Sequence, residues 1–123
     1  MLAGLARWLR AAGHDAALAD PPPGPEALAG RAVREQRRLL TRNHALPPLA
    51  PAQAVLVPQG IEAQAAMLAR DLAIDWLHAP FSRCLVDNSP LAPADPDQLR
   101  ALPPRARGLP GPFRSCPTCG KLY

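Results

Sequence analysis

Arg38-Leu39-Leu40-Thr41, a proline-broken stretch, Ala54-Val55-Leu56-Val57, and then Ile61, Ala65, Leu68 and Leu72 at helical spacing: residues 38–72 decide the fold class. The first and third pieces are short, continuous apolar runs between turn-forming residues. Such runs read as strands buried on both faces of a parallel sheet, because an exposed face would impose an alternating pattern. The last piece repeats every three to four residues, the period of an amphipathic helix.

Working outward, Pro25-Glu26 opens another helix running to about Gln36, with Leu28, Ala32 and Val33 inward. Proline suits a first helical turn and glutamate complements the dipole there. Upstream, Leu2 to Ala12 forms a helix with Leu2, Leu5, Leu9 and Ala12 on one face, Arg7 and Arg10 away from it, and Gly13 as the left-handed stop. Ala16-Ala17-Leu18-Ala19 is a further strand candidate before the loop at residues 20–25. Helix, strand, helix, strand, helix is an α/β alternation. From Ala79 the character changes: proline, arginine and cysteine rise and helical periodicity vanishes, which places a boundary at Pro80-Phe81.

Beyond that boundary lies Cys116-Pro117-Thr118-Cys119-Gly120, a turn in which two thiolates can grip one ion and glycine takes the positive φ that follows. Its partner should be a second Cys-x-x-Cys. The chain offers Cys84-Leu85-Val86-Asp87, so Cys84, Asp87, Cys116 and Cys119 are the candidate ligands of a structural zinc ion, in a zinc-ribbon module. A carboxylate among three thiolates makes a weaker site for a soft ion. A Cys116–Cys119 redox pair, or inert thiols in a decayed site, stand beside this reading. Three cysteines cannot pair off into a disulfide framework.

With 123 residues there is room for one modest domain and a small appendage. Aromatics are only 4% of the chain, so its core must rest on Leu, Ala and Val. The net charge is +4, and the only basic residue that is not arginine is Lys121. Eight basic residues face seven acidic ones in residues 1–80, but six face three in residues 81–123. Guanidinium forks match phosphate oxygens, which suits nucleic acid. The same arginine bias, with so much alanine and proline, also follows from a GC-rich genome. No segment approaches the roughly 18 apolar residues of a membrane span, and no signal peptide is recognisable, so a cytoplasmic location is expected.

Several segments occur together in order: Met1-Leu2-Ala3-Gly4-Leu5-Ala6-Arg7-Trp8-Leu9-Arg10, Gly13-His14-Asp15, Leu39-Leu40-Thr41-Arg42, Phe81-Ser82-Arg83-Cys84-Leu85-Val86, Asn88-Ser89-Pro90-Leu91, the Cys116–Gly120 turn and Tyr123. In these the chain resembles the Mut-seven C-terminal RNase domain family. The resemblance implies a PIN-like three-layer α/β fold over residues 1–79 and a zinc-ribbon module over residues 80–123. It also implies a metal-dependent ribonuclease, in which carboxylates at strand ends hold magnesium or manganese. Two departures bear on activity. The family's opening strand, with its Asp, precedes the segment that begins here at Met1, so a first strand and a carboxylate are expected to be missing. The family's Thr-Arg-Asp is Thr41-Arg42-Asn43 here. Glu26 and Asn43 are then the candidate catalytic residues, with Glu26 open to a plain helix-dipole role and His44 a possible substitute ligand. Arg42, Arg83, Arg105 and Arg107 are the candidate RNA contacts. A thinned acidic site leaves enzymatic activity open, and a non-catalytic RNA-binding module or a truncated gene product are the alternatives.

Overall fold

The computed structural model describes residues 2–123; Met1, the first residue of the opening motif, lies outside them. Among the described residues, helix α1 spans Ala3–Ala11, α2 Pro25–Glu35, strand β1 Leu39–Thr41, α3 Leu46–Leu49, β2 Ala54–Leu56 and α4 Ile61–Asp71. There follow β3 at Ala92–Pro93, α5 at Pro96–Arg100, α6 at Pro104–Arg107 and β4 at Arg114–Ser115. The result is a mixed α/β chain with a small parallel sheet. It divides into two compact units, each drawn from two stretches: the residues through Leu5 with Leu18–Ile74, and Ala6–Ala17 with Asp75–Tyr123.

The first unit is built on the parallel pair β1–β2, in the register Leu39↔Ala54, Leu40↔Val55, Thr41↔Leu56. Its crossover is short because α3 starts almost at once. Leu46 N–H donates to the Asn43 carbonyl at 3.2 Å, and Pro47 and Pro48 fall in the first turn, where no N–H is needed. Leu46 and Ala50 pack with Ala29 of α2, and Leu28, Leu39 and Ala54 close around them. Alanine and leucine in equal number make up this core, in line with the scarcity of aromatics. The strand residues are mostly half-buried, so the expectation of a sheet covered on both faces is not met.

Other differences have simple causes. Ala16–Ala19 joins no sheet: alanine brings little β preference, and the Ala16 N–H is taken by the Asn88 side chain at 3.0 Å. Val33 is exposed rather than inward, because Ala29 and Ala32 already supply the buried stripe of α2. The two short helices α5 and α6 were not expected. α5 is announced by a capping box in which the Asp95 carboxylate accepts from Gln98 N–H and the Gln98 side chain accepts from Asp95 N–H, both at 2.8 Å.

The second unit has little regular structure. Within it, α1 ends as its sequence predicts. Gly13 adopts φ +93, Gly13 N–H donates to the Arg10 carbonyl and His14 N–H to that of Leu9, both at 2.9 Å. Arg10, expected on the solvent face, is buried at 7% exposure. β3 pairs antiparallel with β4, Ala92 opposite Ser115 and Pro93 opposite Arg114. Isolated bridges Arg83↔Pro90 and Ser115↔Leu122 each close a tight loop.

Candidate metal centre

Those two loops are built alike. In the first, Cys84 N–H donates to the Ser89 carbonyl at 2.9 Å and Asn88 N–H to that of Cys84 at 3.0 Å. In the second, Cys116 N–H donates to the Lys121 carbonyl at 2.9 Å and Gly120 N–H to that of Cys116 at 2.8 Å. The fifth residue of each takes a left-handed conformation, Asn88 at φ 69 and Gly120 at φ 78. Asparagine is the side chain that tolerates this region best after glycine. Asp87 therefore stands in the first loop where Cys119 stands in the second.

The loops face each other through their side chains. Cys84 Sγ lies 3.7 Å from Cys119 Sγ, and Cys116 Sγ lies 3.2 Å from Asp87 Oδ2 and 3.4 Å from Oδ1. One ligand atom from each of the four residues falls within 4.8 Å of every other. Tetrahedral bonds of about 2.0–2.3 Å put ligand atoms about 3.3–3.8 Å apart, so the spacing fits a single ion. Cys84 and Cys116 are fully buried, while Cys119 is exposed, and all three are free cysteines. The donor set can hold a metal ion.

The electrostatics agree. Asp87 is held down to about 2, first by the Ser89 backbone N–H, which donates to Oδ1 at 3.0 Å. That bond orients the carboxylate and leaves Oδ2 nearest Cys116. Burial works against ionising Cys84, but hydrogen bonds from the Tyr123 hydroxyl and from the backbone N–H groups of Asp87 and Val86 more than offset it, so its thiol sits below the ordinary range. Cys119 moves the other way, to about 11. The Lys121 backbone N–H favours its thiolate, yet desolvation and the neighbouring Cys84 and Cys116 sulfurs prevail. Ionising the three thiols beside the Asp87 carboxylate would set negative charges side by side, and a cation relieves that repulsion.

A family model described as the Mut7-C RNAse domain matches residues 1–123. The chain belongs to that family. No curated protein matches the chain, and no solved structure does.

In this Mut7-C domain the candidate catalytic residues belong to the first unit and the cysteine loops to the second. Glu26 is exposed in the first turn of α2. Asn43 is exposed just beyond β1 and locked in a turn: its N–H donates to Thr41 Oγ1, and its Oδ1 accepts from Ala45 N–H, both at 2.9 Å. Arg42 and Arg105 are exposed. Arg83 is half-buried and donates to the Asn88 carbonyl at 2.9 Å, bracing the first loop. Arg107 is exposed but bonds the Leu102 and Arg100 carbonyls at 3.0 and 3.1 Å. Asn88 and Ser89, read from the sequence only as a family segment, also shape the site, and Asn one residue after the Asp87 position is a readable left-handed signal. Arg10 and Tyr123 carried no such signal.

Proposed function

We propose that this chain is a metal-dependent ribonuclease of the PIN-like class with a zinc ribbon at its end. The observation that carries the reading is the family match across all of residues 1–123. A parallel strand pair with a crossover between its strands is consistent with a PIN-like sheet. For the ribbon, zinc is the ion whose preferences the donor set meets: four ligands, mostly thiolate, at tetrahedral spacing. With Cys84, Asp87, Cys116 and Cys119 bound, it would order a segment that has few buried apolar side chains of its own.

The hydrolytic ion is a separate matter. Glu26 offers one carboxylate, and Asn43 a neutral oxygen already bonded to Ala45 N–H. Glu26 belongs to no group of three or more His, Cys, Asp or Glu ligands among the described residues. Such a set fits magnesium or manganese only where phosphate oxygens of the RNA complete the shell, as hydrated divalent ions allow. When bound, the ion supplies an acidified water and positive charge opposite the scissile phosphate. The expected outcome is slow cleavage of single-stranded RNA that depends on added manganese and is lost in Glu26→Gln. Equal cleavage by wild type in excess chelator would overturn the metal mechanism.

The dispersed carboxylates favour a second reading, a non-catalytic RNA-binding module. RNA retained without cleavage in manganese would select it.

A further inference from the structure

The first cysteine loop is held by two side chains from outside it. We propose that Arg10 and Tyr123 are positioning residues for the metal centre, tying its affinity to helix α1 and to the segment that follows the second cysteine loop. The inference rests on the cysteine loops holding an ion.

Between the two ligands of this loop, Cys84 and Asp87, lie Leu85 and Val86. Arg10 Nη1 donates to both of their carbonyls, at 2.9 and 3.1 Å. Its Nε donates to the Ala16 carbonyl at 2.8 Å. These three acceptors are neutral, so the hydrogen bonds bring no opposing charge to a guanidinium buried at 7% exposure. A divalent ion held by three thiolates and one carboxylate carries an excess of two negative charges. Arg10, fastened to the peptide groups between two of those ligands, offsets part of that excess. It also fixes the direction in which the loop presents Cys84 and Asp87.

Tyr123 holds the same loop as well. Leu85 N–H donates to the Tyr123 hydroxyl oxygen at 3.0 Å, and that hydroxyl lies 3.3 Å from Cys84 Sγ. An amide N–H can only donate, so the phenol oxygen accepts there and keeps its own hydrogen for the sulfur. Once Cys84 is a metal-bound thiolate it has no hydrogen to give, and the phenol must be the donor. A hydrogen bond to a ligating sulfur fixes its orientation and draws off charge. Peptide groups 85 and 86 are thus engaged at both carbonyls and one amide by two side chains whose sequence positions are remote. Asn88, the left-handed residue of the same loop, accepts from Ala16 N–H through Oδ1, so α1 and the segment after it follow the loop's geometry.

The test is cobalt and zinc titration of the full chain in competition with a chromophoric chelator, for wild type, Arg10→Met, Arg10→Lys and Tyr123→Phe. Each of Arg10→Met and Tyr123→Phe should lose roughly 10–100-fold in affinity. Arg10→Lys should recover part of the loss, since it restores the charge without the fork. Tyr123→Phe should also move the sulfur-to-cobalt charge-transfer band to lower energy, because the sulfur becomes a better electron donor. It removes one oxygen and keeps the ring, so it reports even if Arg10→Met does not fold. Zinc loading of wild type should slow hydrogen exchange at Ala16, and less so in Arg10→Met. Tight wild-type binding with affinity and band unchanged in the variants overturns this inference alone. Failure of the wild type to bind either metal overturns the metal reading, and the inference falls with it.

Discussion

Asp87 is the residue on which the strength of the centre turns. The pairing of the loops puts it in register with Cys119, and Ser89 N–H holds Oδ1 so that Oδ2 faces Cys116. A hard oxygen among soft sulfurs lowers affinity for zinc. The matching loop shows that a cysteine at this step reaches the common point, since Cys119 Sγ comes within 3.7 Å of Cys84 Sγ from the same position. Asp87→Cys is therefore expected to bind zinc more tightly, by roughly tenfold, or about 1.4 kcal/mol. Competition with a chelator measures it, and an unchanged or weaker affinity would show that the carboxylate contributes something a thiolate cannot. At this scale the sequence was half legible. The Cys-x-x-Cys spacing announced one loop, and Asp87 was found by extending the spacing to Cys84. Asn88 could have been read from its left-handed tolerance. Tyr123 and Arg10 belong to the family segments, but their part in the centre could not be read, because a tyrosine and an arginine off the apolar stripe look like surface until the chain is folded.

Among the elements, the end of α1 is the most demanding joint. Gly13 sits at φ +93, and a Cβ built there would lie 2.3 Å from the Ala79 carbonyl oxygen and 2.7 Å from both Ala79 Cβ and Ser82 Oγ. None of the three can easily retreat. Ala79 N–H is bonded to the Ala12 carbonyl at 2.8 Å, and Ser82 Oγ donates to the Ala79 carbonyl at 2.6 Å. Gly13→Ala adds backbone strain to overpacking, together about 3 kcal/mol. Urea unfolding of the metal-saturated protein should show that loss, and a loss under about 1 kcal/mol would mean the joint is looser than its geometry. Gly13 was legible as a helix stop because left-handed backbone has a residue signature. Its close approach to Ala79 was not, since tertiary contact leaves no local mark. The same contrast runs through the other elements. Pro25-Glu26 and the Ile61, Ala65, Leu68 spacing gave helices within a residue or two of α2 and α4. The alanines of residues 16–19 carry little strand preference, and the side chains of Asn88 and Arg10 take the backbone hydrogen bonds of Ala16.

For the whole molecule, the charge balance is the feature that bears on RNA. The net charge is +4, and the excess of basic over acidic residues gathers in residues 81–123. Not all of those arginines are available to phosphate, because Arg83 and Arg107 spend hydrogen bonds on nearby carbonyls. Composition alone counts them equally with Arg105, which is exposed on α6, so the sequence overstates the basic face that folding leaves. Each phosphate neutralised on a single strand releases counterions and contributes about −0.7 to the slope of log affinity against log salt. If residues 81–123 grip RNA, affinity falls linearly on that scale as salt rises, and Arg105→Ala makes the slope shallower by about 0.7. Arg107→Ala should act differently: it loses its carbonyl partners as well as its charge, so weaker binding is accompanied by lower thermal stability. Fluorescence anisotropy with a labelled oligonucleotide across a salt series separates the two effects. A slope unchanged by Arg105→Ala would move the RNA contacts off α6, and binding indifferent to salt would remove phosphate recognition from the account of this chain.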